Sequence, residues 1–321
     1  MTDSVTATYQ TIPVATMASG LDLSIGMHVV EGRSKGPRVG IVSTHHGDEI
    51  FTGDLIRRLL ASVSADQLAG TLYAVPTANP LAFEWGTRHT PQDMTNMNRI
   101  FPGNDAGWIS EVMARALTDA LVPNLDVLID LHCGGTDTSI HYTYTRSPET
   151  EFGRKIHELA LIAGGEVLWE SNGPAGTLAG DAADAGILTV IVEVGGGTSF
   201  GSPLEARGLR GITNILKKVG MIEGEPEIDP ARVVVRNGAG LRPRQGGLFI
   251  PEVGLETLGK RVPGGTLLAR VVSPQSFEEI DRLVAPYEQT EIMMVRDRIS
   301  KVHPGDYAYI VGDGKSGYEV K

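Results

Sequence analysis

A motif of histidines and acids follows an apolar run near the start of the chain. Thr44-His45-His46-Gly47-Asp48-Glu49 comes directly after Val39 to Val42 and before a stretch with helical periodicity. A histidine and a glutamate three residues apart can both reach one zinc ion, and the glycine between them lets the backbone bend. His46 and Glu49 therefore predict a hydrolytic metal site. Because Asp48 could simply cap a helix beside a surface histidine, the motif needs a third ligand.

The third ligand is expected where a second apolar run ends, in Asp130-Leu131-His132. Side chains just past the carboxyl ends of parallel strands face the crevice in which such folds bind ligands, so His132 is a candidate to meet His46 there. A core histidine with satisfied hydrogen bonds is the alternative. Asp130 is placed either to orient a ligand from behind or to serve as a turn residue.

A carboxylate interrupts a third apolar run, in which Glu193 lies within Thr189-Val190-Ile191-Val192-Glu193-Val194. Burying a carboxylate in such a strand is costly unless the group is paired or functional. A general base beside a metal-bound water is one explanation for Glu193. The other is that its side chain reaches solvent at the end of the strand.

Cationic and amide side chains lie on one long segment, with Arg88 in Arg88-His89-Thr90-Pro91-Gln92-Asp93 and Asn98 and Arg99 a few residues later. Such groups can polarise a carbonyl and hold an anionic substrate group bidentately. The alternative is that they are solvated loop residues.

Composition limits the classes of protein to be considered. The 321 residues are 41% hydrophobic and carry a formal net charge of -11, which argues against a nucleic-acid partner. The single cysteine, Cys133, excludes a thiolate zinc cluster, so a metal must be held by histidine and carboxylate. No signal-peptide pattern or run of transmembrane length is seen, so a cytoplasmic protein without a membrane partner is expected.

The spacing of the apolar runs predicts an α/β fold, a mainly parallel sheet covered by helices, over about residues 37–220. An acidic, proline-containing linker is expected at Gly224 to Pro230, followed by short β-like runs. The expected domains are therefore 1–222 and a small all-β domain, 223–321. The expected strands of the first domain are Val39–Ser43, Thr71–Val75, Val127–Leu131, Ile140–Thr145 and Thr189–Val194. Its expected helices are Asp48–Ser62, Ile109–Leu121, Glu149–Gly164 and Pro203–Lys218.

These motifs, taken together, resemble the zinc carboxypeptidase superfamily, and within it the succinylglutamate desuccinylase and aspartoacylase branch. The resemblance rests on five elements in the family's order, which cover about residues 38–220: His46-Gly47-Asp48-Glu49, Arg88, Asn98-Arg99-Ile100-Phe101-Pro102-Gly103, Asp130-Leu131-His132 and Glu193-Val194-Gly195. Within the branch the chain looks most like bacterial deacylases that include the N-acetyl-diaminobutyrate deacetylases. Their C-terminal domain resembles a lipoyl-like barrel sandwich.

The resemblance implies a role for each of these residues. His46, Glu49 and His132 would bind one zinc ion per subunit, with a water in the open position, and Asp130 would support them. Glu193 would deprotonate that water and protonate the leaving amine, and Arg88 would stabilise the oxyanion. Asn98 and Arg99 would be substrate-binding residues that clamp the carboxylate in the amino-acid half of the substrate.

The resemblance has two gaps. Asp181-Ala182-Ala183-Asp184 occupies the region where aspartoacylase has a further arginine, so a doubly acidic substrate is not expected, and the carboxypeptidase tyrosine has no assigned position.

We expect a zinc amidohydrolase, a deacylase of a small N-acyl (N-acetyl) amino acid or related amine. A zinc carboxypeptidase acting on small peptides and a catalytically silent ligand-binding protein are the alternatives. The exact substrate and a homo-oligomeric state are left open.

Overall fold

A mixed β-sheet with helices on both faces forms most of the chain. The computed structural model describes residues 8–197, 199–227 and 232–320. Its strands are β1 (Thr8–Thr16), β2 (Asp22–Glu31), β3 (Ser34–Ser43), β4 (Ala69–Val75), β5 (Val127–His132), β6 (Ser139–Thr145), β7 (Val167–Glu170), β8 (Leu188–Gly196), β9 (Val233–Val235), β10 (Gly238–Leu241), β11 (Gly247–Pro251), β12 (Arg261–Pro263), β13 (Leu267–Val272), β14 (Glu279–Val284), β15 (Gln289–Val295), β16 (Ser300–Val302), β17 (Tyr309–Asp313) and β18 (Tyr318–Glu319). Its helices are α1 (Ile50–Ser62), α2 (Pro80–Trp85), α3 (Ile109–Leu121), α4 (Glu151–Ile162), α5 (Leu178–Asp184) and α6 (Pro203–Lys218).

The strand order in the large sheet is β1-β2-β4-β3-β5-β8-β6-β15-β17-β10, with β7 and β9 attached through β6, β12 paired to β15, and β18 paired to β9. The central neighbours β4, β3, β5 and β8 are parallel, whereas β6 runs antiparallel to β8. Because parallel strands end at the same edge, the carboxyl ends of β3, β5 and β8 meet there. These are the strand ends that carry His46, His132 and Glu193.

Alternating residues of the central strands build two separate cores. Val39 and Ile41 of β3 face a core that α1, α4 and α6 complete, whereas Val42 faces a core completed by α3 and α5. Every residue of β5 is buried, as expected for a central strand that is covered on both faces. Burial on both sides explains why these strands appear in the sequence as continuous apolar runs.

The C-terminal strands take two different places in the fold. Strands β11, β13, β14 and β16 form a separate four-stranded sheet within the described residues. Strand β15 instead pairs with β6, and β9 pairs with β7, so these strands continue the large sheet. The division at residue 222 stays a prediction, and residues 228–230 of the expected linker lie outside the described part of the chain.

The sequence located the central elements well. Helices α3 and α6 begin and end at the expected residues, and the expected strands and the other two helices agree with the structure to within a few residues. The N-terminal pair β1 and β2 was not expected. Among the described residues, none of the helices is both long enough and apolar enough to cross a membrane.

Candidate metal centre and active site

The turn after β3 fixes the direction of the first two candidate ligands. Thr44 adopts a positive φ of 56°, which reverses the chain directly after the strand. Gly47 is required by close approach, because a Cβ at this position would collide with the Ala82 carbonyl. Glu49 is the N-cap residue of α1, but its side chain makes no capping hydrogen bond. Its carboxylate turns instead toward the histidines.

The three candidate metal ligands converge on the Glu49 carboxylate. His46 Nδ1 lies 2.7 Å from Glu49 Oε1, and His132 Nδ1 lies 2.9 Å from Glu49 Oε2. All three side chains are buried, and one ligand atom from each lies within 4.8 Å of the others. Two imidazole nitrogens and a carboxylate are the donor set of a catalytic zinc site that keeps one position open.

A hydrogen bond fixes the tautomer of His46. Asn96 Oδ1 accepts from the Asn98 backbone N–H at 3.0 Å, which identifies this atom as the amide oxygen, and it lies 3.1 Å from His46 Nε2. His46 therefore donates from Nε2 and leaves the lone pair of Nδ1 directed at a carboxylate oxygen. Two acceptors at this distance need a proton or a metal cation between them. Burial also lowers the pKa of His46 to about 4, which favours the neutral form that ligates metals.

Further buried side chains orient His132. Its Nε2 lies 3.0 Å from Asn98 Nδ2 and 3.5 Å from Asp130 Oδ2. Asp130 also binds His45 Nε2 at 2.9 Å, and the His45 ring stacks on His132 with a centroid distance of 5.3 Å. Burial alone would lower the pKa of His132, but the carboxylates of Asp130 and Glu49 raise it well above its usual value. Asp130 thus lies behind His132, and its role in supporting the ligands stays a prediction.

Glu193 lies next to this centre on the neighbouring strand. It is the register partner of His132 across β5 and β8, and it lines the same cavity as the three candidate ligands. Burial raises the pKa of Glu193 to about 7, with the Glu49 carboxylate adding to the effect and His132 opposing it. A carboxylate that exchanges a proton near neutral pH is suited to general base catalysis.

The arginines and Asn98 are brought to the same cavity, but their surroundings differ. Arg88 Nη1 donates to Glu49 Oε1 at 3.1 Å, so its charge acts directly on the candidate metal centre. Asn98 is buried, and its Oδ1 accepts from the Leu178 N–H at 3.0 Å while its Nδ2 faces His132. Both amide atoms of Asn98 are therefore engaged within the protein. Arg99 is exposed and lines the cavity, and its Nη1 donates to the Asn98 backbone carbonyl at 2.6 Å.

The cavity that contains these residues has a volume of about 590 Å³ and lies between the central sheet and the C-terminal strands. Arg296, Asp306 and Tyr307 line it from the C-terminal side, and Asp137 and Arg296 form an ion pair of 3.1 Å across it. The sequence did not indicate Asn96, His45 or Arg296 as parts of the site. Only His45 carried a signal, because it lies beside His46 at the end of an apolar strand.

Comparison with known proteins defines the class of this protein. Residues 35–219 match the model of the succinylglutamate desuccinylase/aspartoacylase catalytic domain, which is more than half of the chain. The chain therefore belongs to the succinylglutamate desuccinylase/aspartoacylase family, as the sequence predicted.

Two kinds of relatives add detail. The N-alpha-acetyl-L-2,4-diaminobutyric acid deacetylase of Halomonas elongata is 32% identical over 203 residues, which are 61% of this chain and 58% of that protein. A succinylglutamate desuccinylase from Silicibacter sp. TM1040 has the same fold, with a TM-score of 0.83 at 24% identity over 97% of this chain and 96% of the other. The product-bound ectoine utilization protein EutE (DoeB) of Ruegeria pomeroyi also has this fold, with a TM-score of 0.83 at 24% identity over 98% of this chain and 96% of the other. The chain thus spans less than two thirds of the curated relative, whereas its fold matches the two solved structures over nearly their whole length.

Proposed function

We propose that the protein is a zinc-dependent amidohydrolase that removes a small acyl group, acetyl in the simplest case, from the nitrogen of an amino acid or a related amine. The observation that carries this proposal is the His46 lone pair, which Asn96 directs at the Glu49 carboxylate beside His132. Two acceptors that face each other at the wall of a cavity suit a bound metal cation.

The residues present suit one zinc ion held by His46, Glu49 and His132. A zinc ion there supplies Lewis-acid polarisation of the scissile carbonyl and lowers the pKa of a water molecule. Asn96 then acts behind His46, whose imidazole it holds in a fixed orientation, and Asp130 provides a negative charge 3.5 Å from His132 Nε2.

The remaining side chains account for the proton transfers and for orientation of the substrate. Glu193 accepts a proton from the attacking water and returns it to the amine nitrogen when the C–N bond breaks, so the reaction yields a carboxylic acid and a free amine. Arg88 has further N–H donors for the developing oxyanion, an interaction worth roughly 3 kcal/mol in comparable sites. Because Asn98 is fully engaged in the protein, we assign the clamp on the substrate carboxylate mainly to Arg99.

Acetyl is supported by the Halomonas relative, whose name specifies an N-acetylated amino acid as its substrate. Asp181 and Asp184 lie on α5, and neither belongs to the cavity lining found among the described residues. Arg296 also lines the cavity, but Asp137 already pairs with it at 3.1 Å, so a substrate with a single carboxylate is favoured. The cytoplasmic location, the oligomeric state and the boundary between domains stay predictions.

The test is product analysis by mass spectrometry. Zinc-loaded protein is incubated with a panel of N-acyl amino acids and dipeptides, and a chelator-treated sample serves as the control. We expect chelator-sensitive release of acetate and a free amino acid. Cleavage of dipeptides alone would move the protein to the carboxypeptidases, and tight zinc binding without any product would support a catalytically silent binding protein.

A further inference from the structure

An aromatic surface lies beside His132 and Glu193 on the same sheet. His132, Glu193 and Tyr142 are register partners across β5, β8 and β6. Residues two positions apart on a strand share a face, so Tyr144 lies on the same face as Tyr142. Its partner on β7 is Trp169. We call Tyr142, Tyr144 and Trp169 the aromatic wall, and all three line the cavity.

The rings of the aromatic wall are held in a fixed arrangement. Tyr144 and Trp169 stack with a centroid distance of 5.4 Å and an angle of 16° between their planes. The Tyr142 hydroxyl donates to the Tyr144 hydroxyl at 3.2 Å, which settles the position of both rings. Tyr142 is 2% exposed, whereas Tyr144 and Trp169 are partly exposed. The surface open to a ligand is therefore that of Tyr144 and Trp169.

Apolar side chains from both parts of the chain extend this surface. Ile191 precedes Glu193 by two residues on β8 and lines the cavity, as do Met294 of β15 and Ile310 of β17. The acyl methyl group of an acetylated substrate covers only a small part of such a lining. The remaining apolar area would stay in contact with water, although its burial yields about 25 cal/mol per Å².

The position of Arg99 indicates which half of the substrate meets the aromatic wall. Arg99 lines the same cavity as the aromatic wall and Glu193, and its guanidinium group interacts electrostatically with Tyr144 and Glu193 as well as with Arg88 and Tyr307, so it is near both the aromatic wall and the general base. A carboxylate held by Arg99 is attached to the same carbon as the amino-acid side chain. That side chain therefore lies beside the aromatic wall, while the acyl group lies across the scissile bond.

We propose that the aromatic wall is a subsite for a flat, apolar side chain, so that N-acylated aromatic amino acids are the preferred substrates. This inference rests on the proposed function and names its substrate class. A cationic side chain is disfavoured at the aromatic wall because the Arg99 guanidinium is a like charge next to it. Aromatic rings gain additional energy from offset stacking on Tyr144 and Trp169.

The test compares substrates that share one acyl group. We expect kcat/KM for N-acetyltryptophan to exceed that for N-acetylalanine and for N-acetyl-2,4-diaminobutyrate by about 10-fold or more. In Trp169→Leu the ratio of kcat/KM for N-acetyltryptophan to that for N-acetylalanine should fall about 10-fold. Trp85→Leu is the matched control, because Trp85 is 68% exposed and does not belong to the cavity lining, and it should keep the wild-type ratio.

Other outcomes would overturn the subsite. Equal kcat/KM values for all the acetylated substrates would overturn the proposed subsite. A preference for N-benzoylalanine over N-acetylalanine would overturn it as well, because the aromatic wall would then bind the acyl group and not the amino-acid side chain. Absence of turnover across the panel would overturn the proposed function instead. The subsite would then be judged by calorimetry with N-acetyltryptophan: binding that Trp169→Leu weakens supports the aromatic wall, and absence of binding overturns it.

Discussion

Two buried glutamates occupy opposite situations in this molecule. Glu291 of β15 is completely buried and is held at 2.6 Å by Arg232 and by Arg261. Glu49 is equally buried, but two histidines and the partly exposed Arg88 surround it. A carboxylate between two permanent cations has its charge balanced by the fold itself. Glu49 has only one such cation, Arg88, and its two imidazole neighbours balance its charge only when they carry a proton or share a metal cation with it.

The surroundings of the two glutamates differ in the same sense. Near Glu49, several buried polar atoms have no hydrogen-bond partner among the described residues: His45 Nδ1, Asp48 Oδ1 and Asp130 Oδ2. Both oxygens of Glu291 accept hydrogen bonds from guanidinium groups. Unsatisfied polar atoms are expensive in a protein interior and mark places where function outweighs stability. A buried acid therefore indicates a site through its partners, not through burial alone. The same substitution, glutamate to glutamine, tests this distinction at five positions.

Glu193→Gln should have the largest effect. Glutamine keeps the shape of the side chain but cannot accept a proton from water, so kcat for the preferred N-acyl amino acid should fall by about 10²–10⁴-fold. Zinc content, measured by atomic absorption, should stay at the wild-type level. Undiminished turnover would refute Glu193 as the general base, and loss of zinc would place it among the ligands.

Glu291→Gln should have the largest effect on stability. The substitution removes the carboxylate that Arg232 and Arg261 share, so that Arg261 keeps only Glu319 and Arg232 keeps only a backbone carbonyl, and breaking a buried ion pair in this way costs about 3 kcal/mol or more. Urea denaturation of the chelated protein measures this loss. The kcat/KM of the folded, zinc-loaded variant should stay near the wild-type value, and a variant as stable as the wild type would contradict the assigned structural role.

Glu49→Gln should reverse that pattern. Zinc affinity should fall about 100-fold or more, because even residues behind the ligands contribute up to that factor. The metal-free variant should unfold within about 1 kcal/mol of the wild type, since the glutamine amide can donate to His46 Nδ1. Competition with a chromophoric chelator gives the affinity. If Glu49→Gln were as destabilising as Glu291→Gln with zinc affinity intact, the distinction between the two glutamates would fail.

The sequence alone could not distinguish the candidate general base Glu193 from the structural acid Glu291. Glu193 lies within an apolar strand and Glu291 directly precedes the apolar run of another, so the cost of burying a carboxylate is the same argument for both. The partners of Glu291 are Arg232 and Arg261, which are distant from it in the chain, and no local sequence pattern predicts that they contact it. The metal motif was easier to predict, because His46 and Glu49 are close in sequence and His132 ends a strand that must lie beside theirs.

The parts of the site that the sequence missed depend on tertiary packing. Asn96 orients His46 from a loop, and its role appears only when the hydrogen bond to Nε2 is seen. The aromatic wall depends on the register between β6 and β7, which sequence periodicity does not specify. The sequence did predict the central strands and the long helices α1, α3, α4 and α6, because apolar runs and amphipathic stretches are local properties of the chain.

Glu166→Gln should have a smaller and pH-dependent effect. Burial alone would raise the pKa of Glu166, but the His141 imidazole, whose Nδ1 lies 2.6 Å from Glu166 Oε2, and the charge of Arg207 lower it to about 2. A lowered folded-state pKa stabilises the protein above the unfolded value of 4.5, and this contribution is lost as the pH falls from there toward 2. At pH 7 the variant should be less stable by about 2 kcal/mol.

The measurement for Glu166→Gln is urea denaturation of chelated protein between pH 3 and 7. Chelation removes the contribution of the metal centre, so that the titration of Glu166 can be compared directly. The gap between wild type and variant should narrow as the pH falls below about 4.5. A gap that is constant over this range would mean that the carboxylate charge of Glu166 contributes nothing to stability.

Glu158→Gln marks the lower end of the series. Glu158 of α4 pairs with Lys218 of α6 at 3.2 Å, but the two side chains are 55% and 45% exposed. Water solvates both charges before and after the substitution, so the free energy of unfolding should change by less than about 0.5 kcal/mol. Turnover and zinc affinity should not change. A loss of 2 kcal/mol or more at Glu158 would show that pairing stabilises this protein irrespective of burial, and the contrast between Glu49 and Glu291 would then need another explanation.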